Sequence, residues 1–112
     1  MIEIFKRFTF EAAHQLSDYP EIHGHSYSVE VRCKGPVTGG YVIREDAMTA
    51  AIEKVRDQLD HRMLNPIIQT PTSENIAVWI WQQLVNELPL SEVHVWRESV
   101  GFGAIYRGPA DA

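Results

Sequence analysis

Histidine occurs five times in this chain, at positions 14, 23, 25, 61 and 94, and two of the five form His23-Gly24-His25. On an extended strand, residues two apart point the same way and lie about 6.5–7 Å apart along the chain. Two imidazoles at that spacing can converge on one ion. Zinc–nitrogen bonds are about 2.0–2.1 Å long, and a catalytic zinc takes three protein ligands and keeps one position open. His14 supplies a third imidazole if its segment pairs beside the first two. Three neutral rings around a divalent ion leave a site of charge +2, suited to polarising hydroxyl or carbonyl oxygens. The spacing alone leaves two readings open: a metal centre, or ordinary strand histidines near a loop. It does not choose a reaction.

The elements that must position these rings can be read from periodicity. Ile2, Ile4, Phe8, Phe10, Ala12 and His14 share one parity, which predicts a strand; Lys6 interrupts the pattern and predicts a bend or bulge. From His23 to Cys33, His23, His25, Tyr27, Val29, Val31 and Cys33 share a face, with Ser26, Ser28, Glu30 and Arg32 opposite. The short connection containing Pro20 predicts antiparallel pairing of the two strands. Apolar residues at three- and four-residue spacing predict helices over 45–59 and 73–87. The first has Glu45 and Asp46 in its opening turn, and the second has Pro71-Thr72-Ser73 as a start signal. Strands are expected near 92–98 and 102–107. The order β-β-α-α-β-β predicts an α+β domain with two helices on one face of an antiparallel sheet.

The 112 residues suit one domain spanning 1–112. Apolar residues make up 45% and charged residues 22%, which excludes a disordered or collagen-like chain. Apolar runs are too short for a membrane-spanning helix, and the alternating N-terminus lacks the long apolar core of a signal peptide. A single cysteine, Cys33, excludes an internal disulfide framework and favours a reducing, cytoplasmic setting. A net charge of −5 argues against nonspecific nucleic-acid binding, while leaving room for a small anionic substrate met by local charge.

Five ordered segments now carry a resemblance. Phe10-Glu11-Ala12-Ala13-His14, His23-Gly24-His25-Ser26-Tyr27, Leu59-Asp60-His61-Arg62-Met63-Leu64-Asn65, Pro71-Thr72-Ser73-Glu74-Asn75 and the late Glu98 together resemble the motifs of the 6-pyruvoyltetrahydropterin synthase and 6-carboxytetrahydropterin synthase family. The resemblance covers nearly the whole chain. It implies a tunnelling fold whose trimers close into barrels and stack as a homohexamer, with the active site between subunits. It implies Zn2+ held by His14, His23 and His25. Asp60 and His61 match a pair in which the carboxylate orients the imidazole for proton transfer. Glu98 matches the carboxylate that anchors the pterin ring, and Thr72, Ser73 and Glu74 match a segment lining the pterin pocket.

The departures bear on the reaction. The family's catalytic cysteine falls four residues before His23, where this chain has Tyr19. Cys33 lies ten residues beyond His23, about 30 Å along an extended strand, and cannot replace it. Some branches carry a glutamate near this position, and Glu21 stands two residues before His23. A usual aspartate after the Gly40 segment is here Arg44. The resemblance implies a zinc lyase on a substrate like 7,8-dihydroneopterin triphosphate, with Glu21 or the Asp60–His61 pair as base and Tyr19 a poor alternative at neutral pH. The expected activity is 6-carboxy-5,6,7,8-tetrahydropterin synthase-like, in a 7-deazapurine (queuosine) route. The alternatives are a Glu21-dependent variant forming 6-hydroxymethyl-7,8-dihydropterin for folate synthesis, and a pterin- or zinc-binding homologue without turnover. Arg44, Arg62, Arg97 and Arg107 are candidates to meet a phosphate. Trp96 is a candidate wall of the pterin pocket. His94 reads as a structural or surface residue.

Overall fold

A computed structural model describes residues 1–110. The chain runs β1 (Ile2–Leu16), β2 (Tyr19–Gly35), α1 (Glu45–Leu59), β3 (Arg62–Met63), α2 (Ser73–Leu84), β4 (Leu90–Arg97) and β5 (Phe102–Tyr106). The five strands form one sheet in the order β3-β1-β2-β4-β5. The α+β class and the placement of both helices on one face match the sequence reading.

The alternating residues decide which face is buried. Phe10, Ala12 and His14 of β1, Tyr27, Val29, Val31 and Cys33 of β2, and Val93 and Val95 of β4 all turn inward. They meet Met48, Ala51, Ile52, Val55 and Leu59 of α1 and Ile76, Ala77, Ile80 and Leu84 of α2. Burying such side chains contributes about 1.5–3 kcal/mol each relative to exposure. Neither helix could hold its apolar stripe in water alone.

β1 and β2 form a long antiparallel ladder from Ile2↔Gly35 to His14↔His23, with an irregularity only between His14 and Leu16. The bend expected at Lys6 is absent: Lys6 pairs with Val31 in unbroken register and is half-buried. A lysine can lay its methylene stem on the core and keep its ammonium at the margin, so the strand tolerates it. The strands also extend further than expected. They leave only Ser17-Asp18 as the connection, and so the hairpin end is a rigid support for residues 14 to 25.

Two further corrections concern the middle of the chain. α2 ends at Leu84 and not near Glu87; Glu87 and Leu88 instead donate their backbone N–H groups to Leu84 O in a final turn. Between the helices, Arg62 and Met63 add a two-residue strand parallel to β1, opposite Ala12 and Ala13. The sheet is therefore mixed, not purely antiparallel. Such a short strand has no period to read; backbone bonds from His61 N–H to Glu11 O and from Leu64 N–H to Ala13 O create it.

Candidate metal centre

The hairpin register places His14 directly opposite His23, with His25 two residues further along the same face. Ring centroids lie 4.6 Å apart for His14–His23, 4.8 Å for His23–His25 and 5.1 Å for His14–His25. One nitrogen from each ring falls within 4.8 Å of the other two.

Hydrogen bonding fixes which nitrogens face inward. His14 Nδ1–H donates to Pro71 O at 2.7 Å, and His23 Nδ1–H donates to Glu21 O at 2.8 Å. A carbonyl only accepts, so both protons sit on Nδ1 and both Nε2 atoms present lone pairs. Those two Nε2 atoms are 3.0 Å apart. His25 Nε2 is likewise an acceptor, because Arg97 Nη1 approaches it at 3.4 Å and can only donate. Three lone pairs converging without a proton between them repel one another unless a cation sits among them. A tetrahedral ion with bonds of about 2.0–2.1 Å sets its donors about 3.3–3.4 Å apart, close to the 3.0 Å between the His14 and His23 Nε2 atoms. The residues present therefore fit a divalent ion, and carbonyl partners on the outer nitrogens are the support such ligands normally have.

Electrostatics keep the rings ready for an ion. Burial lowers the His14 pKa below its usual value, against the pull of the Pro71 carbonyl. Burial, and then the positive charge of Arg97, lowers His25 to about 4. Beneath the trio lies Tyr27, whose hydroxyl is 3.5 Å from His14 Nδ1 and whose pKa burial pushes up to about 12. The Tyr19 ring packs edge-on against His23 with centroids 4.8 Å apart. Glu21 is exposed, on the strand parity of His23 and His25.

The start of α2 joins this centre. Pro71 supplies the carbonyl that holds His14, and Thr72 Oγ1 caps the helix by accepting the Asn75 N–H at 3.1 Å. Thr72, Ser73 and Glu74 line a cavity of about 140 Å3 together with His14, Tyr27 and Arg97.

Asp60 and His61 follow α1, and His61 reaches the outer side of the trio at His25. Asp60 Oδ2 is 2.9 Å from His61 Nδ1, and Asp60 Oδ1 accepts the Glu11 N–H at 2.9 Å. That backbone bond is the largest influence holding the Asp60 carboxyl below its usual range, assisted by His61 and Arg56. His61 has φ of +60°, a left-handed conformation that a histidine holds only when its surroundings impose it. Its ring is 78% exposed on the rim of a cavity of about 500 Å3 bordered by Glu11, Gly24, His25 and Ser26, so it shares that cavity with one ring of the trio. A Cβ at Gly24 would meet Ala12 O at 3.4 Å, an ordinary contact, so the strand itself does not demand glycine there.

Glu98 belongs to a third place. Its carboxylate accepts the Trp96 Nε1–H at 2.9 Å, and both line a groove of about 350 Å3 with Arg7, Thr9 and Ser28 on the sheet face away from the helices. Gly103 makes room for this arrangement, since a Cβ there would fall 2.3 Å from that of Trp96. Cys33 is fully buried at the far end of β2, opposite Ile4, and burial raises its thiol to about 11. The other arginine candidates are engaged. Arg44 pairs with Asp46, Arg107 with Glu92, and Arg62 donates to Asp57 O. His94 is half-buried, with Nε2 3.0 Å from Glu92 Oε1.

The geometry thus defines a small α+β protein with a three-histidine centre at a hairpin end and carboxylate-bearing pockets on both sides of its sheet. The family described as 6-pyruvoyl tetrahydropterin synthase matches residues 3–109, and the chain belongs to that family. It is similar to the dihydroneopterin monophosphate aldolase of Pyrococcus furiosus, 37% identical over 99 residues, covering 83% of this chain and 87% of the relative. It is also similar to the 6-carboxy-5,6,7,8-tetrahydropterin synthase of Synechocystis, 37% identical over 95 residues and covering 72% and 73% of the two chains. In fold it matches the Caenorhabditis elegans 6-pyruvoyl tetrahydropterin synthase structure with a TM-score of 0.84 at 22% identity, covering 96% of each chain. Among the described residues, no helix is long and apolar enough to cross a membrane.

Proposed function

We propose that this protein is a metal-dependent lyase that cleaves the hydroxylated side chain of a 7,8-dihydroneopterin phosphate by a retro-aldol reaction, giving 6-hydroxymethyl-7,8-dihydropterin and a glycolaldehyde phosphate. The observation that carries this reading is the pairing of the three-histidine cluster, with the His14 and His23 Nε2 lone pairs turned inward, with Glu21, whose backbone holds His23 and which shares its strand parity. The family's cysteine position is Tyr19, and Cys33 is buried far from the trio. The similarity to the Pyrococcus furiosus aldolase over most of both chains supports the same choice.

His14, His23 and His25 would hold the ion, and their three-nitrogen donor set suits zinc. A divalent ion there would supply positive charge that acidifies side-chain hydroxyls. Glu21 takes the proton of the second side-chain hydroxyl. The bond between the first and second side-chain carbons then breaks, and its electron pair moves onto the first carbon and into the ring imine. A proton returned to that carbon completes the product. The Asp60–His61 pair, oriented by carboxylate and backbone, is the proton carrier in this reading. Glu98 anchors the aminopyrimidinone edge through two accepted hydrogen bonds. Thr72, Ser73 and Glu74 line the pocket beside the trio.

Within one chain His14 lines one cavity, His25 and His61 border a second, and Glu98 lies in a third. A homo-oligomer, a dimer of trimers, that brings these groups together from neighbouring subunits is part of the proposal, as is a cytoplasmic setting consistent with the lone buried thiol.

Product analysis tests the reading. Incubation with dihydroneopterin monophosphate and triphosphate should yield 6-hydroxymethyldihydropterin by mass spectrometry. Glu21→Gln should lower kcat by about 10²–10⁴-fold while metal content stays unchanged. The similarity to the Synechocystis enzyme favours a second reading, formation of 6-carboxytetrahydropterin. That product, insensitive to Glu21→Gln, would replace the first reading. Metal binding with no product at any pH would leave a binding protein.

A further inference from the structure

Among the described residues, Arg97 is the arginine whose side chain has no anionic or carbonyl partner. Arg7 and Arg32 share Glu30, Arg44 meets Asp46, Arg56 meets Asp60, Arg107 meets Glu92, and Arg62 donates to Asp57 O. Among the described residues, Arg97 makes a single long contact, Nη1 to His25 Nε2 at 3.4 Å. Its Nε–H is buried with no partner at all. A guanidinium has five donors in a fixed fork and no way to shed its charge. Burying such a group beside neutral imidazoles is unfavourable unless something anionic joins it.

Its position comes from the sheet. Arg97 ends β4 on the parity of Val93 and Val95, the face turned toward the helices, whereas Trp96 belongs to the opposite face. The side chain therefore reaches the cavity walled by His14, Tyr27, Thr72, Ser73 and Glu74. At about 140 Å3 that cavity is close to the size that holds one benzene ring. It admits a phosphate group and excludes a two-ring pterin. The only other charged wall is Glu74, which is exposed at the rim.

We infer that Arg97 is the specificity residue of this site, binding the phosphate at the end of the substrate's side chain and setting a preference for phosphorylated over unphosphorylated dihydroneopterin. This rests on the proposed pterin chemistry and deepens it. A side chain whose hydroxyls are held at the trio carries its phosphate one carbon further on, so that phosphate must lie beside the trio. The Arg97 fork is built for two of its oxygens. The same guanidinium could instead meet the oxyanion formed as the hydroxyl proton leaves, and the experiment separates the two.

Wild type, Arg97→Gln and Arg97→Lys are compared on dihydroneopterin and its monophosphate, with circular dichroism and metal content as checks on folding. Arg97→Gln should lower the ratio of kcat/KM for the phosphorylated over the unphosphorylated substrate about 10²-fold, chiefly through KM. Arg97→Lys should recover part of the loss. Equal losses on both substrates would assign Arg97 to the oxyanion and overturn the inference, as would no loss on either. Calorimetry of neopterin and neopterin monophosphate, whose aromatic ring resists cleavage, gives a readout independent of turnover. Wild type should bind the phosphate form more tightly, and Arg97→Gln should bind both alike. If no variant turns over any pterin, the proposed function fails. The phosphate preference in calorimetry then still decides the role of Arg97.

Discussion

His14 and His23 each have the outer nitrogen held by a backbone carbonyl, and His25 has Arg97 beside it, so each ring can be tested separately. Replacing His14 by Ala should reduce bound metal from one equivalent per chain to near zero by elemental analysis. Loss of the several kcal/mol that such an ion supplies should cost about 10³-fold or more in activity. On the opposite sheet face, Glu30 is 2% exposed and is held by Arg7 Nε at 2.7 Å and by Arg32 Nε. Burial works to raise its pKa, but the hydrogen bonds from Arg32 and Arg7 outweigh it and hold the carboxyl below its usual 4.5. A depressed folded-state pKa contributes stability that is present above the unfolded value and lost as pH falls. Urea midpoints should therefore drop as pH falls below about 4.5, and Glu30→Gln should flatten that drop. At neutral pH the same substitution should cost about 2–3 kcal/mol, less than for a fully enclosed pair because Arg7 is largely exposed.

At the level of elements, α2 does two jobs through its first residues. Thr72 caps it, and the preceding Pro71 carbonyl orients His14. Thr72→Ala should cost about 1 kcal/mol in chemical denaturation and also weaken metal affinity measured by competition with a chelator. Val55→Ala in α1, which lies in the core away from the trio, should lower stability without the second effect. The elements differ in how far they could be read in advance. α1 falls on 45–59 as its periodicity requires, and the parity of His14, His23 and His25 foretold their convergence, because a strand has only two faces. β3 was illegible, since two residues carry no period and its place depends on backbone bonds to β1. Lys6 misled because a strand pattern does not say that a long stem can lie along the core. Arg97 could not be separated from the other arginines by sequence. Its distinction depends on how the end of β4 lies against a hairpin some seventy residues earlier.

The molecule as a whole presents two unfinished sheet edges. Among the described residues, β5 has no partner beyond β4, and β1 is covered on its outer side only at Ala12 and Ala13, where β3 pairs. Phe102 and Ile105 on β5 are 60% and 50% exposed. Such an open, partly apolar edge invites pairing with another chain. Analytical ultracentrifugation should find an assembly larger than one chain, and Ile105→Glu on the open edge should shift it toward monomer. If the site forms between subunits, activity should fall in step with assembly while the metal stays bound.

The single thiol, buried near the end of the central strand β2, gives the experimenter a clock. Cys33 has no accessible surface, and its thiol ionises only near pH 11. An alkylating reagent therefore meets it only when the native fold opens globally. The pace of alkylation, followed by intact mass, counts those openings without any introduced label. The same chain can thus report how a metal, a pterin or a neighbouring copy slows its own unfolding.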